Sequence, residues 1–197
     1  MGSVLAPILH EVGHRVLERL CSGFRFLLTN FVERESRKGR EKGRLTRKYH
    51  VLLVSSSGGV LLDLLALEPW WAQHRTTWAV VKAPDTQAVL PDRQTIWVKE
   101  RSADRPVGAI AGFFEALRVL KRVRPELIVS AGSGVAIGFF LAAKLLGIPT
   151  FWVDTFNFIR SPSLSGRICS RLASEVLVQR PSMLKAHPHA IVLGELY

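Results

Sequence analysis

Cysteines are scarce in this sequence, and no group of residues has the spacing of metal ligands. Cys21 and Cys169 are the only two cysteines among 197 residues, which is too few for a disulfide framework or a cysteine-rich metal site. The six histidines are scattered, and we interpret His187 and His189, which flank a proline, as solvated loop residues. The sequence therefore predicts buried or idle thiols in a reducing, cytosolic setting, with no cofactor and no metal.

A long uninterrupted apolar run is also missing. A membrane-spanning helix needs about 20 mostly apolar residues, and a signal peptide has a basic start followed by an apolar block. Residues 1–33 fit neither pattern, but their apolar residues recur every three or four positions, which is typical of an amphipathic helix. We predict that this helix lies in the lipid headgroup region or packs on the domain or on a partner. The recurring positions are Leu5, Leu9, Val12, Val16, Leu20, Phe24, Leu27 and Phe31.

Acidic residues are few relative to basic ones. The chain has 27 Lys and Arg against 16 Asp and Glu, a formal charge of +11, which favours an anionic partner. Residues 34–48 hold eight basic and two acidic residues and form either a solvated linker or a segment that adheres to anionic lipid, worth about 1 kcal/mol per basic residue near the surface. We favour adhesion, because the helix and the basic segment together supply two membrane signals. Interleaved aromatic residues and nucleic-acid motifs are missing, so no nucleic-acid partner is expected.

Residues 49–197 have the pattern of one α/β domain, and the apolar fraction of 48% is ample for its core. Apolar β-branched runs alternate with helical runs, which indicates a Rossmann-like parallel sheet. The predicted strands are 49–54, 77–81, 95–98, 127–129, 151–154, 175–178 and 191–193. The predicted helices are 60–67, 110–123, 136–146 and 166–173, with Ser165 as the N-cap of the last, followed by a short helix from Pro181.

Two strands of this domain are followed directly by a glycine-bearing turn and a helix. The first turn is Ser55–Gly59 and the second is Ser130–Gly134. A strand, a small-residue turn and a helix N-terminus expose backbone N–H groups that bind anions. In parallel sheets ligands lie beyond the carboxyl ends of the strands, where Asp154 also ends a strand. The first turn is not a P-loop, and in both turns the small residues serve either geometry alone or an anion such as a diphosphate.

The second turn also permits a dinucleotide-binding interpretation. Gly132-x-Gly134-x-x-x-Gly138 opens a helix after a strand, and Asp154 follows at the distance of a ribose-binding acid. The glycine spacing is one residue longer than the fingerprint, and the turn does not follow the first strand. A dinucleotide-binding oxidoreductase therefore remains as an alternative function.

Several motifs in fixed order carry a resemblance to a known family. They are SSSGG, SAGSG, a helix ending in LLGIP, an acid ending the next strand, SPSLSGR and LVQRP. On these motifs the chain resembles the PssD-type bacterial polysaccharide glycosyltransferase subunit. It also resembles the membrane-anchoring subunit of the split eukaryotic transferase that adds the second N-acetylglucosamine to dolichol diphosphate. Both are similar to the N-terminal, acceptor-binding half of a GT-B enzyme such as MurG.

The resemblance covers about residues 50–197 and implies a half-enzyme. A second, PssE-like polypeptide would supply the donor-binding half, with the UDP-sugar in the cleft between them. The implied function is inverting transfer of a sugar to a polyprenyl-diphosphate-linked saccharide at the cytoplasmic face of the inner or plasma membrane, in polysaccharide biosynthesis. A non-catalytic membrane scaffold that only recruits its partner is the other alternative.

The resemblance also implies which residues form the site. Asp154 stands where the family has an acid that deprotonates or orients the acceptor hydroxyl, although an aspartate there also suits a cap of the following turn. The implied contacts to the diphosphate-linked acceptor are Ser56, Ser57, Gly58, Gly59, Gly132, Ser133, Gly134, Asn157, Arg160 and Arg167.

Three positions depart from the family pattern. Val60 replaces the histidine of a Gly-Gly-His turn, Phe158 stands where relatives often carry arginine, and Arg180 replaces the tryptophan of a Gln-Trp-Pro stretch. Because the histidine that could serve as a base is absent, we expect Asp154 to be the catalytic residue.

Overall fold

The computed structural model describes residues 48–90, 94–100, 106–154 and 163–192. The predicted membrane helix at 1–33 and nearly all of the basic segment at 34–48 lie outside the described residues, as do Asn157, Phe158 and Arg160. Within the described ranges, no helix has the length and apolar character needed to cross a bilayer.

Seven parallel strands form one sheet in the order β3-β2-β1-β4-β5-β6-β7. This confirms the predicted Rossmann-like α/β architecture. The chain adds strands to one side of β1, then crosses over and adds the remaining strands to the other side. The strands are β1 His50–Ser55, β2 Arg75–Val81, β3 Thr95–Val98, β4 Leu127–Ser130, β5 Thr150–Asp154, β6 Glu175–Val178 and β7 Ile191–Val192.

The helices connect these strands over both faces of the sheet. They are α1 Gly59–Ala66, α2 Glu68–Trp71, α3 Pro84–Val89, α4 Pro106–Val123, α5 Val135–Leu146, α6 Leu164–Leu172 and a 3₁₀ helix at Pro181–Lys185. The C-cap of α5 is Gly147, which adopts the left-handed conformation with φ of 68°.

The alternation of side chains along each strand divides the core into two apolar layers. Val51 and Leu53 of β1 pack with α1 and α2 on one face, together with Trp71 and Trp78. Leu52 of β1 belongs to the other layer, with α4, α5 and α6. Trp70, Trp71 and Trp78 are all buried and belong to the core.

The start of α6 differs from the prediction. The helix begins at Leu164, and its N-cap is Ser163, whose Oγ accepts a hydrogen bond of 3.0 Å from the N–H of Gly166. Ser165, the predicted N-cap, instead lies in the first turn and pairs with the Ser163 hydroxyl at 3.0 Å. The prediction was wrong because SPSLSG offers several serines, and only the backbone path decides which of them faces the unpaired N–H groups.

Helices α4 and α5 approach each other at two glycines. A Cβ atom added to Gly138 would lie 2.7 Å from the carbonyl carbon of Gly112 and 2.8 Å from its oxygen. Both atoms belong to the backbone, so a side chain at this position requires the two helices to separate. Helix α5 begins directly after the second glycine-bearing turn. The close contact with α4 therefore also fixes the position of that turn relative to α4.

Replacing Gly138 tests this packing constraint. In an unconstrained helix, alanine is more favourable than glycine by about 1 kcal/mol. Here we expect Gly138→Ala to lower the free energy of unfolding by about 1–3 kcal/mol, because overpacking outweighs propensity. Ala111→Gly, on an exposed position of α4, measures the propensity effect alone. Denaturant unfolding of the full chain gives both values, and a more stable Gly138→Ala variant would contradict the close helix contact.

Candidate functional site

The two glycine-bearing turns lie side by side at the carboxyl edge of the sheet. β1 pairs directly with β4, with Val54 opposite Ser130, so the turns that follow these strands are neighbours. This is the point where the strand order reverses, and open α/β sheets bind ligands there. In the first turn Ser56 and Ser57 are half-buried and Gly58 and Gly59 are exposed.

Gly58 gives the first turn its shape. Its φ of 79° lies in the left-handed region, which glycine adopts without strain. The Gly58 N–H donates a hydrogen bond of 2.8 Å to Oδ2 of Asp85, which belongs to α3. The Asp85 carboxylate therefore already accepts the hydrogen bond of one of the amides that were predicted to bind an anionic ligand. A diphosphate that reaches Gly58 has to displace Asp85.

The second turn is more enclosed and carries backbone strain. Gly132 is buried, Ser133 and Gly134 are half-buried, and Ser133 has a φ of 78°. A non-glycine residue in this conformation costs on the order of 1–3 kcal/mol, and such residues cluster at functional sites. The Ser133 hydroxyl oxygen is buried and has no hydrogen-bond partner among the described residues. A buried polar atom without a partner is a sign of a group that a ligand completes.

Val60 joins the two turns physically. A Cβ atom at Gly132 would lie 2.4 Å from Cγ1 of Val60, so the valine side chain packs directly on the glycine backbone. Val60 is the residue that replaces the histidine expected from the family resemblance. At this position the chain therefore has an apolar contact between the turns and no proton acceptor.

Asp154 ends β5 and is buried, with 4% of its surface exposed. Its Oδ2 lies 2.6 Å from Nε2 of His187, a residue that follows the 3₁₀ helix. The interpretation of His187 as solvated was wrong, since it is only 8% exposed. The turn that the Asp154 carboxylate was alternatively expected to cap, residues 155–162, lies outside the described residues. The adjacent His189 is exposed, as predicted.

Sequence reasoning missed His187 because nothing in its local pattern predicts burial. The 3₁₀ helix turns the chain back toward the sheet, and the His187 N–H donates to the carbonyl of Met183 at 3.1 Å. That backbone geometry, rather than the His-Pro-His sequence, directs the ring inward.

Gln179 is a second buried polar residue at this edge of the sheet that was not among the predicted site residues. It follows β6 directly, it is 3% exposed, and its Nε2 has no hydrogen-bond partner among the described residues. Val178 pairs with Asp154 in the sheet, so Gln179 lies at the same edge. The LVQRP motif already contained this residue, and its position after a strand was the available signal.

The remaining predicted residues divide between exposed and undescribed positions. Arg167 lies in the first half of α6, which starts at the carboxyl edge of the sheet, and its side chain is exposed. Asn157 and Arg160 lie outside the described residues. Cys169 is buried in the core and burial raises the pKa of its thiol, which keeps the group protonated and unreactive.

The contact between the two turns gives a testable coupling. We expect Gly132→Ala to lower the free energy of unfolding by about 1–3 kcal/mol, because the new methyl group collides with Val60. Shortening that side chain in the Gly132→Ala, Val60→Ala double variant removes the colliding Cγ1. The double variant should therefore lose less stability than the sum of the single variants, with a coupling of about 0.5–3 kcal/mol in denaturant unfolding. Strictly additive losses would show that Val60 and Gly132 do not contact each other in solution.

The chain is similar in sequence to parts of several curated sugar transferases. No protein-family model matches the chain. It is similar to the UDP-N-acetylglucosamine–N-acetylmuramyl-(pentapeptide) pyrophosphoryl-undecaprenol N-acetylglucosamine transferase of Xylella fastidiosa, with 37% identity over 81 residues, which are 41% of this chain and 21% of the relative. It is also similar to the UDP-N-acetylglucosamine transferase subunit ALG14 of Homo sapiens, with 27% identity over 84 residues, 40% of this chain and 39% of that subunit. The chain thus spans well under half of the length of these curated relatives.

Solved structures show the same fold at low sequence identity. MurG of Acinetobacter baumannii superimposes with a TM-score of 0.58 and 20% identity over 68% of this chain and 42% of that chain. The UDP complex of MnaA from S. aureus superimposes with a TM-score of 0.61 and 10% identity over 75% of this chain and 45% of that chain. The described residues therefore have a Rossmann-like α/β fold of the GT-B type, as found in MurG.

Proposed function

We propose that this chain is the acceptor-binding subunit of a two-chain inverting glycosyltransferase. It transfers a sugar from a UDP-sugar to a polyprenyl-diphosphate-linked saccharide at the cytoplasmic face of the membrane. The names of both curated relatives point to UDP-N-acetylglucosamine as the donor. The observation that carries the proposal is the placement of two amide-bearing turns and a buried carboxylate at one edge of the sheet.

The name of one relative supports a division of labour between two chains. ALG14, to which this chain is similar, is named as a subunit of a UDP-N-acetylglucosamine transferase. We propose that a separate, PssE-like chain supplies the donor-binding half, and that the amphipathic segment 1–33 and the basic segment 34–48 hold the pair against anionic lipid.

The turns suit a diphosphate because of their position on helices. The first amides of α1 and α5 have no acceptor within their own helices, and the positive ends of both helix dipoles point to the same crevice. Two adjacent turns match the two phosphoryl groups of a lipid diphosphate. Asp85 occupies the Gly58 amide at 2.8 Å, and on binding its carboxylate leaves that amide to phosphate.

Asp154 is suitably placed to accept the proton of the acceptor. Strand β5 pairs directly with β4, with Ser130 opposite Trp152, so Asp154 ends the strand next to the one that carries the second turn. We propose that a sugar attached to a diphosphate in the turns reaches this carboxylate. In the transfer, the acceptor hydroxyl oxygen attacks the anomeric carbon, its proton passes to Asp154, and UDP leaves with the electron pair of the broken C–O bond.

A non-catalytic scaffold is the second candidate function. The hydrogen bond from Gly58 to Asp85 favours it, because an anion-binding amide that is already satisfied does not require a ligand. In that case the turns are structural and the chain only recruits its partner to the membrane. The dinucleotide-binding alternative finds no support among the transferase relatives.

Replacing Asp154 separates the two candidates. With the co-purified donor-binding chain, UDP-N-acetylglucosamine and a polyprenyl-diphosphate acceptor, we expect Asp154→Asn to lower kcat by about 10²–10⁴-fold, the usual contribution of a general base. Glu68→Gln makes the same carboxylate-to-amide change at an exposed residue of α2, which precedes β2 and so lies toward the amino edge of the sheet, and should leave transfer unchanged. Full activity of Asp154→Asn would instead favour the scaffold.

A further inference from the structure

The contact between Asp154 and His187 joins two parts of the chain that no motif connects. The two residues lie 33 positions apart, and Oδ2 of the carboxylate is 2.6 Å from Nε2 of the ring. Both residues are more than nine-tenths buried. The pair lies at the carboxyl end of β5, which Asp154 forms. The neighbouring strands β4 and β6 end in the second glycine-bearing turn and in Gln179.

Both partners are held by hydrogen-bonded backbone. Asp154 belongs to β5 and pairs with Val178 of β6. The His187 N–H donates to Met183 at 3.1 Å, and the His187 carbonyl accepts from Ala190 at 3.0 Å. Both backbone groups of His187 are therefore hydrogen-bonded, which fixes the position of the residue that carries the ring. The pair links β5 to the connection between β6 and β7.

A nitrogen and an oxygen at this distance share one hydrogen atom. An imidazole nitrogen is a stronger base than a carboxylate oxygen, so we place the hydrogen on Nε2, with the ring donating to an ionised carboxylate. A hydrogen-bond donor stabilises the ionised form of a buried carboxylate, and the ionised form is the one that can accept a proton.

We propose that His187 is a positioning residue for the transfer reaction: its Nε2–H holds the Asp154 carboxylate in one rotamer and in the proton-accepting form. This inference rests on the proposed function for its catalytic consequence, whereas the tautomer of the ring is a property of the chain alone.

A purely structural role predicts a different outcome. Removing one partner of a buried pair destabilises a protein, because the other partner stays buried without its compensating contact. If the pair only attaches the 3₁₀ helix to the sheet, His187→Leu therefore lowers Tm and leaves the kcat of the folded enzyme unchanged.

The side-chain lengths of the amides provide a matched set of variants. The amide nitrogen of glutamine lies as many bonds from Cα as Nε2 of histidine, and that of asparagine is one bond shorter, in the position of Nδ1. His187→Gln therefore retains the donor to Asp154, His187→Asn retains an amide that does not reach, and His187→Leu removes the donor. His189→Leu, at the exposed neighbouring histidine, is the control that leaves Asp154 untouched.

The tautomer is tested first, by long-range ¹H–¹⁵N correlation NMR on the full chain labelled at histidine. We expect the His187 ring to carry its hydrogen on Nε2 and to change its nitrogen shifts in Asp154→Asn, while His189 is unaffected. A His187 ring protonated only on Nδ1, or shifts that ignore Asp154→Asn, would overturn the proposal without any activity measurement.

The catalytic consequence is tested in the transfer assay with the co-purified donor-binding chain. We expect His187→Leu and His187→Asn to lower the kcat of the folded enzyme at least about 10-fold, and at most by the ~10²–10⁴-fold that a lost general base costs, with little change in KM; both variants also lose Tm, so kcat is measured well below it. His187→Gln should remain close to the wild type. Wild-type kcat in His187→Leu overturns the positioning role alone, whereas a wild-type chain that shows the Nε2–H tautomer but no transfer refutes the proposed function and this role with it.

Discussion

The direct pairing of β1 with β4 is the constraint on which the rest of the site depends. Because β2 and β3 lie on one side of β1 and the later strands on the other, the helices after β1 and β4 leave the sheet toward opposite faces. In open α/β sheets ligands bind where the strand order reverses in this way. The contact of Val60 with Gly132 and the close approach of α5 to α4 at Gly112 then fix the position of the second glycine-bearing turn.

The architecture was predictable because it follows from patterns that repeat along the chain. Buried parallel strands read as continuous apolar runs, and short turns with glycine mark where each strand ends. The strand at Glu175–Val178 was predicted to the residue. In contrast, Pro84–Val89 is a helix of six residues that the predicted elements did not include. Short polar helices lack a full apolar stripe, so their pattern is weak.

The site was less predictable, because its chemistry depends on contacts between distant positions. The turns and Asp154 could be found, since each stands at a strand end. The roles of Asp85 and His187 could not, because one reaches the first turn from α3 and the other reaches β5 from beyond β6. Both contacts pair an ionisable side chain with a site residue, and such contacts decide whether an amide is available and whether a carboxylate accepts a proton.

The central claim is that the two turns bind a diphosphate, and amide NMR of the full chain titrated with inorganic pyrophosphate tests it most directly. The account predicts saturable shifts at the amides of Gly58 and Gly134, together with a change at Asp85 as its carboxylate leaves Gly58. Shifts confined to the basic segment 34–48, with both turns unchanged, would show that only this segment binds pyrophosphate and would contradict the account.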